Sequence, residues 1–277
     1  MSDAELAFPF LPLNRRPDKP RTRGVTEIRG PYYTPMGKRY LEDLLETMGR
    51  WIDTLKFAGG SHALFARPVL TEIIELCHTH QVRVSTGGFL ERVLTFGPEA
   101  VRRCLVKCRE LGFDIVEVSS GFVTLPEDDL LRLAEQVQQA GLQVKPEVGI
   151  QFGAGGATSV EALEAEGTRD VGLAIRLARR YLEAGAEMIM IESEGITENV
   201  RRWRTDAVAR LVDALGPERL MFEAADPAVF TWYVKTYGPD VNLFVDHSQI
   251  VQLECLRSGV WGTMDVWGRV LTYRPHD

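Results

Sequence analysis

Short apolar runs alternate with amphipathic segments along most of the chain. In residues 182–195 (LEAGAEMIMIESEG), a helical pattern stops at an Ala-Gly pair, four apolar residues follow, and the run ends on Glu192, Ser193 and Glu194. A short continuous apolar run is typical of a strand buried on both faces, and the Ala-Gly pair marks a helix end. Carboxylates beside a buried strand are costly unless something pairs with them. If such strand ends recur and converge, they indicate where the function resides.

The same unit of strand and helix recurs eight times. The predicted strands cover residues 24–29, 51–57, 82–86, 114–120, 143–148, 188–191, 219–223 and 241–245. The predicted helices cover about 37–48, 67–80, 98–111, 126–140, 170–184, 206–215, 227–237 and 249–257, with a short helical piece at 196–204. Strands that alternate with helices favour a parallel sheet with right-handed crossovers.

Eight such units in a chain of 277 residues match the size of a closed (β/α)8 barrel. We therefore predict an α/β fold: a single (β/α)8 TIM barrel over residues 21–277, preceded by an extended N-terminal arm at 1–20. In this arm Phe8, Phe10 and Leu11 are expected to dock on the body or on a neighbouring subunit. A doubly wound open sheet is the alternative, but the first strand–helix turn lacks the G-x-G-x-x-G pattern of a dinucleotide fold.

Composition narrows the expected partners. The net charge of −7 argues against a broad nucleic-acid footprint. No stretch approaches the roughly 18–20 apolar residues of a membrane span, and the first residues lack a signal-peptide pattern. We therefore expect a cytoplasmic homo-oligomer that binds a small anionic substrate and neither nucleic acid nor membrane. Four cysteines are predicted to be reduced thiols: Cys77, Cys104, Cys108 and Cys255.

Ionisable groups gather at the predicted strand ends, where barrels of this class have their active sites. The polar residues there are Glu27, Arg29, Lys56, Ser85, Thr86, Glu117, Ser119, Lys145, Glu147, Glu192, Glu194, Glu223, Asn242, Asp246 and His247. Several carboxylates suit Mg²⁺ or Mn²⁺, which prefer oxygen ligands and can stabilise an enolate or a phosphoryl oxygen. A lysine among them can move a proton or bind an anion. For any one glutamate, a structural ion pair is the alternative.

Glycine-rich turns follow several of these strands. Bare backbone N–H groups at the Gly87-Gly88 pair could cradle a phosphate. The long connection at 149–167, which contains the glycines of residues 153–156, favours a lid or binding loop. Arg201 offers positive charge near the mouth, with an exposed helix face as the alternative.

Motifs spread over about residues 18–265 carry a family resemblance. They are Lys19-Pro-Arg-Thr-Arg-Gly24-Val-Thr26, Asp53-x-x-Lys56, Gly87-Gly88-x-x-Glu91, Gly112-Phe-Asp-Ile-Val-Glu117-Val-Ser119-Ser-Gly121, Glu147-Val-Gly149, Glu183-Ala-Gly-Ala186, Ile191-Glu192, Phe222-Glu223-Ala224, Gly238-Pro-Asp-Val-Asn242-Leu243 and Leu253-Glu254-Cys-Leu256-Arg257-Ser-Gly259. In these the chain resembles the phosphosulfolactate synthase (ComA-like) family, which includes plant heat-stress-associated relatives. The resemblance implies a (β/α)8 barrel, Mg²⁺, and addition of sulfite to phosphoenolpyruvate.

Some positions depart from the family pattern, and three of these departures remove lysine or arginine from the expected mouth. Gly30 stands for Asp, Ala58-Gly59-Gly60-Ser61 for Gly-Trp-Gly-Thr, Ile150-Gln151 for Lys-Lys, Ser193-Glu194 for an Arg, residues 228–230 for a Gln pair, and Trp261 for a late Arg. They indicate a divergent subgroup that uses the same metal–carboxylate centre on a different substrate.

These observations lead to assigned roles and three hypotheses. The leading one is a Mg²⁺-dependent (or Mn²⁺-dependent) lyase that joins sulfite or a related nucleophile to phosphoenolpyruvate or a related enol acid. The alternatives are a Schiff-base aldolase-type enzyme and a non-catalytic stress-associated protein. The assigned residues are Lys56, Lys145 and Glu147 for catalysis, Glu117, Glu192 and Glu223 for the metal, and Gly87, Gly88, Ser119, Arg201, Asn242 and His247 for the substrate.

Overall fold

Eight parallel strands close into a barrel in sequence order, which confirms the predicted (β/α)8 fold. The computed structural model describes residues 6–155, 158–167, 170–224, 226–263 and 266–273. The strands are β1 (Thr26–Arg29), β2 (Thr54–Lys56), β3 (Arg83–Ser85), β4 (Ile115–Val118), β5 (Gln143–Val148), β6 (Ile189–Ile191), β7 (Leu220–Glu223) and β8 (Asn242–Asp246). The barrel closes because β1 pairs with both β2 and β8.

Helices connect the strands on the outside. They are α1 (Lys38–Met48), α2 (Arg67–Thr79), α3 (Phe89–Leu94), α4 (Pro98–Leu111), α5 (Glu127–Gln139), α6 (Val160–Glu166), α7 (Val171–Glu183), α8 (Thr205–Leu215), α9 (Pro227–Tyr237) and α10 (Ile250–Arg257), with 3₁₀ turns at Gly49–Trp51, Ala58–Leu64, Pro217–Arg219 and His247–Gln249. In the described residues no helix is long and apolar enough to cross a bilayer.

Two apolar layers follow from the alternation of side chains along each strand. The larger layer fills the space between the sheet and the helices. A small cluster of Val25, Met190, Met221 and Phe244 lies inside the barrel. Because this inner cluster is small, polar and charged side chains occupy the rest of the barrel interior.

The segment predicted as a helix at 196–204 is not helical, so that prediction is wrong. The Ser193 carbonyl instead accepts the N–H groups of Ile196, Thr197 and Glu198 in a tight turn. Gly195 has a φ of +79° and Asn199 a φ of +52°, and neither fits a right-handed helix. Helices α3 and α6 are additional to the predicted set, and α6 lies in the predicted lid at 149–167, of which residues 156 and 157 lie outside the described residues.

The described part of the N-terminal arm, residues 6–20, contains no helix or strand. Asn14 donates to the carbonyl oxygens of Arg257 and Val270, which attaches the arm to the body. Phe8 and Phe10 are 62% and 77% exposed, so they do not dock on the body of their own chain. Each of the four cysteines is free, as expected.

Asn242 closes the barrel at the amino end of β8. Its Oδ1 accepts the N–H of Val25 at 2.9 Å, and its Nδ2 donates to the carbonyl oxygens of Pro217, Glu218 and Leu220. The side chain is completely buried. Asn242 therefore ties β1, β7 and β8 together at the end of the barrel opposite the predicted mouth.

Replacement of Asn242 by Ala should destabilise the protein without altering the mouth. We expect the free energy of unfolding to fall by about 1–3 kcal/mol, since a buried N–H loses its acceptor. Urea denaturation would measure the loss. Gln139→Ala, at an exposed position of α5, serves as control and should change stability little. Unchanged stability in Asn242→Ala would contradict this structural role.

Candidate active site

Barrel closure brings the ionisable residues of six strands to one end. The pairing register sets Arg29 beside Lys56 and Glu117 beside Lys145. Since residues two apart on a strand share a face, Glu147 lies one layer above Lys145 on the inner face of β5. Glu192 and Glu223 come from the ends of β6 and β7. The predicted convergence of these groups is thus found in the structure.

The ammonium of Lys56 lies among three carboxylates. Its Nζ is 2.9 Å from Glu117 Oε2, 3.3 Å from Glu223 Oε1 and 3.5 Å from Glu147 Oε2. Burial alone would lower the pKa of Lys56, but attraction to these carboxylates outweighs burial and raises the pKa well above its ordinary value. Lys56 therefore remains a cation.

Lys145 lies one layer deeper and pairs with Glu27. Its Nζ contacts both carboxylate oxygens of Glu27 and lies 3.7 Å from Glu117 Oε2. Glu117 thus bridges the two lysines. Burial would raise the pKa of Glu117, but Lys56 and Lys145 together lower it. Lys145 and Glu27 line a separate cavity of about 1150 Å³ at the amino end, so Lys145 is not exposed at the mouth.

Lys56 and Lys145 do not balance all the acidic side chains of the site, and Glu147 and Glu192 are the acids left in excess. Burial, and then repulsion from Glu117, raises the pKa of Glu147 well above its ordinary value of 4.5. Burial and repulsion from Glu223 do the same for Glu192. Both carboxyl groups therefore hold a proton at a pH where an exposed glutamate is ionised, unless another cation approaches.

The mouth itself is a cavity of about 170 Å³. It is lined by the charged residues Arg29, Lys56, Glu91, Glu117, Glu147, Glu192, Glu198 and Glu223, together with Gly88, Ser119 and Phe244. Three largely exposed aromatic rings, Tyr32, Tyr33 and Phe122, form its rim. A space of this size and polarity fits a small charged ligand.

The Gly87-Gly88 pair lets other site residues pack closely. Gly87 has a φ of +57°, and a Cβ there would lie 2.6 Å from the carbonyl oxygen of Phe57. A Cβ on Gly88 would lie 3.1 Å from Ser119 Oγ. Only Gly88 of the pair lines the mouth. The pair therefore shapes the walls around Lys56 and Ser119.

Glu91 is a site residue to which the sequence assigned no role. Its buried carboxylate accepts hydrogen bonds from Ser119 Oγ and from the backbone N–H groups of Gly121, Phe122 and Val123. It thereby fixes the loop after β4 that carries the aromatic rim. The spacing of the motif Gly87-Gly88-x-x-Glu91 was the available signal, because it places Glu91 in the first turn of α3.

Besides Gly87, three of the predicted substrate-binding residues do not reach the mouth. Arg201 is exposed and lies 3.3 Å from Glu164. Asn242 lies at the amino end of the barrel, as described above. His247 is buried beneath the end of β1, where its Nδ1–H donates to the carbonyl oxygen of Arg29 at 2.9 Å. We infer that His247 holds the end of β1, the strand that positions Arg29.

The predicted metal ligands are a partial match to a metal centre. In the described part of the chain no three His, Cys, Asp or Glu side chains are arranged around one cation position. Glu117 is already paired with two lysines. Glu192 and Glu223 remain as carboxylate oxygen donors of the kind that Mg²⁺ prefers, and Mg²⁺ can complete its shell with water.

Comparison with known proteins gives two kinds of match. The model of the (2R)-phospho-3-sulfolactate synthase (ComA) family matches residues 14–263. Protein HEAT-STRESS-ASSOCIATED 32 of Arabidopsis thaliana is 40% identical over 252 residues, 87% of this chain and 88% of that relative. Phosphosulfolactate synthase of Methanothermobacter thermautotrophicus is 28% identical over 271 residues, 95% of this chain and 98% of that relative.

Solved structures show likeness of fold alone. The carboxyl transferase domain of Rhizobium etli pyruvate carboxylase superposes with a TM-score of 0.56 at 14% identity. The match covers 82% of this chain and 40% of that chain. At this identity the likeness supports the barrel architecture and nothing about its chemistry.

Loss of the Lys56 charge should destabilise the protein in a pH-dependent way. Lys56→Met leaves buried carboxylates without their counter-ion, so we expect the free energy of unfolding at pH 8 to fall by about 3–5 kcal/mol. The loss should shrink toward pH 5, because protonation relieves the repulsion. Denaturation with urea across this pH range, in metal-free buffer, measures both effects.

The pH dependence of the free energy of unfolding of the wild type gives the direction against which the variant is compared. Because the pKa of Glu147 and Glu192 is raised on folding, their contribution to stability is present below the ordinary value of 4.5 and is lost as pH rises through the folded pKa. Lys38→Met is the matched control, since Lys38 pairs with Glu72 at the surface and its loss should change stability little at any pH. A pH-independent loss in Lys56→Met would be evidence against the charge cluster.

Proposed function

The chain belongs to the (2R)-phospho-3-sulfolactate synthase (ComA) family, and we propose that it is a lyase-type enzyme acting at the mouth of its barrel. The proposed reaction adds sulfite or a related nucleophile to the double bond of phosphoenolpyruvate or a related enol acid. The observation that carries this proposal is the permanent cation Lys56 held among three carboxylates at that mouth. A fixed positive charge there stabilises negative charge that develops on the substrate.

Proton transfer is assigned to Glu147, one of the three acidic side chains around this lysine. Addition of a nucleophile to a carbon–carbon double bond leaves a carbanion or enolate that must take up a proton. Glu147 lies 3.5 Å from Lys56, and burial together with repulsion from Glu117 raises its pKa, so it holds a proton at a pH where an exposed glutamate is ionised. A carboxyl group in this state can act as a general acid. Lys145, paired with Glu27 below, supports Glu117 rather than contacting substrate.

Mg²⁺ remains part of the proposal, with Mn²⁺ as the substitute. Glu192 and Glu223 are the residues that would hold it, which leaves Glu147 to carry the proton. When bound, the ion would act as a Lewis acid toward the substrate's enolate oxygen. Ser193 Oγ donates to Glu198 Oε2 at 2.7 Å and lies 3.3 Å from Glu223 Oε2, which restrains the carboxylates on this side of the mouth.

A Schiff-base aldolase is the less favoured alternative. Formation of a Schiff base needs a neutral lysine amine with a free electron pair. Lys56 is held as a cation by its carboxylate partners, and Lys145 is engaged by both oxygens of Glu27. Neither lysine has the environment that activates an amine.

The primary test is incubation with phosphoenolpyruvate, sulfite and Mg²⁺, with detection of a sulfonate product by mass spectrometry. We expect product from the wild type, and Glu147→Gln should lower kcat by about 100-fold or more because Gln cannot donate the proton. Glu135→Gln, at an exposed position of α5, is the matched control. No sulfonate with either Mg²⁺ or Mn²⁺ would reject this pair of substrates.

A second candidate, a non-catalytic stress-associated role, is favoured by one observation. The relative named HEAT-STRESS-ASSOCIATED 32 is 40% identical, whereas the phosphosulfolactate synthase cited above is 28% identical. In this case the mouth has lost its catalytic activity, and the protein acts by binding other proteins.

Thermal unfolding separates the two candidates. If the mouth is functional, Mg²⁺ with phosphoenolpyruvate should raise the Tm of the wild type by mass action, and Glu223→Gln should abolish the rise. Glu135→Gln should retain it. If neither Mg²⁺ nor phosphoenolpyruvate changes the Tm, and the protein suppresses aggregation of a heated test protein, the stress-associated role would be favoured.

A further inference from the structure

A further cavity lies beside the mouth, bordered by residues of α5 and α7 and of the loops that follow β4 and β5. Its volume is about 250 Å³, and we refer to it as the α5–α7 pocket. Glu147 and Glu192 line both this pocket and the mouth, so the two spaces adjoin at these side chains. Glu127 and Leu173, which are exposed, also line it. The α5–α7 pocket therefore extends from the protein surface to the acids of the mouth.

Apolar side chains form much of the wall of the α5–α7 pocket. They are Leu125, Leu130, Val148, Ala154, Leu173, Ala174 and Leu177. The members from α7 are spaced i, i+1 and i+4, so one face of this helix borders the pocket. An apolar group of a ligand would gain free energy by leaving water for these walls.

Positive charge is missing from this wall. In the part of the chain that the structure describes, no Lys, Arg or His lines the α5–α7 pocket. Arg180, which lies beside Glu127, is engaged by Glu127 at 2.9 Å and by Asp128. A small anion such as sulfite therefore finds no counter-charge in this pocket and is expected at the mouth, where Lys56 lies. The α5–α7 pocket instead favours a neutral ligand with an apolar group.

We propose that the α5–α7 pocket binds the alkyl group of a neutral organic thiol, and that such a thiol is preferred over sulfite as the nucleophile. A thiol fits an apolar wall because its S–H is a weak hydrogen-bond donor, so it loses little when it leaves water. This inference rests on the proposed function, because it names the nucleophile of that reaction and leaves phosphoenolpyruvate as the acceptor. Sulfite remains a substrate, since it needs only the mouth.

The proposed step balances without an oxidant or a reductant. The thiol sulfur bonds to one carbon of the enol acid as the carbon–carbon double bond opens, and the other carbon takes the proton of Glu147. The proton lost by sulfur then replaces the one that Glu147 has given up. Glu147 can serve both partners because it lines both spaces. The product is a thioether that keeps the phosphate and the carboxylate.

A homologous series of thiols tests the apolar wall. With phosphoenolpyruvate and Mg²⁺, and with the thioether product measured by mass spectrometry, we expect KM to fall by about twofold to fourfold for each methylene from ethanethiol to butanethiol. Butanethiol should also have a higher kcat/KM than sulfite. In 3-mercaptopropan-1-ol, the matched control, a hydroxyl replaces the terminal methyl of butanethiol. Its kcat/KM should be lower by about tenfold or more, because the hydroxyl meets apolar side chains.

Ala174→Leu should fill the α5–α7 pocket from the side of α7. We expect the ratio of kcat/KM for butanethiol to that for sulfite to fall by about tenfold or more. Ala209→Leu, at an exposed position of α8, is the matched control and should keep the wild-type ratio. Thermal unfolding verifies that each variant is folded. If Ala174→Leu is not, Leu177→Ala, which removes part of the apolar wall, should change the ratio in the same direction.

Isothermal titration calorimetry with butanethiol alone measures the pocket without turnover. The wild type should bind butanethiol about tenfold or more tightly than Ala174→Leu does. Equal binding, thiol turnover that does not depend on chain length, or sulfonate product without any thioether would each overturn this inference. Absence of product from sulfite and from every thiol would instead reject the proposed function, and the titration would still support or overturn the pocket by itself.

Discussion

The pairing of Lys56 with Glu117, Glu147 and Glu223 is the interaction on which the functional end of this barrel depends. Buried carboxylates are tolerated only when a counter-charge or a proton accompanies them. One ammonium supplies that charge for three acids, and it therefore stays protonated. The arrangement gives the mouth a fixed cation surrounded by groups that can hold protons or a metal ion. It also explains why acids from distant parts of the sequence can share one small space.

Charges of alternating sign extend from this cluster into the barrel. Lys56 contacts Glu117, which contacts Lys145, which contacts Glu27. The inner apolar cluster is too small to fill the interior, so this ladder of ion pairs occupies much of the remaining space. Removal of Lys145 would leave Glu27 as an uncompensated buried charge. We therefore regard Lys145 and Glu27 as the support that fixes Glu117, and Lys56 as the member that faces the substrate.

Not every acid at a strand end serves chemistry. Glu194 is fully buried, and its carboxylate accepts the N–H groups of Gly155 and Thr158 at 2.9 Å and the amide of Asn199 at 2.8 Å. It holds the connection after β5 to the loop after β6. Glu91 holds the loop after β4 in the same way. Both acids satisfy backbone donors that would otherwise be buried without partners.

The sequence by itself determined the barrel and the convergence of its charged strand ends, because apolar periodicity and alternation in strands are local properties that survive folding unchanged. It could not separate Lys56 from Lys145, or Asn242 from the mouth residues, because depth along the barrel depends on register between strands distant in sequence. Nor could it reveal that Arg29 lies between Tyr33 and Phe244, residues more than two hundred positions apart. Arg29 and Phe244 become neighbours only when the first strand pairs with the last.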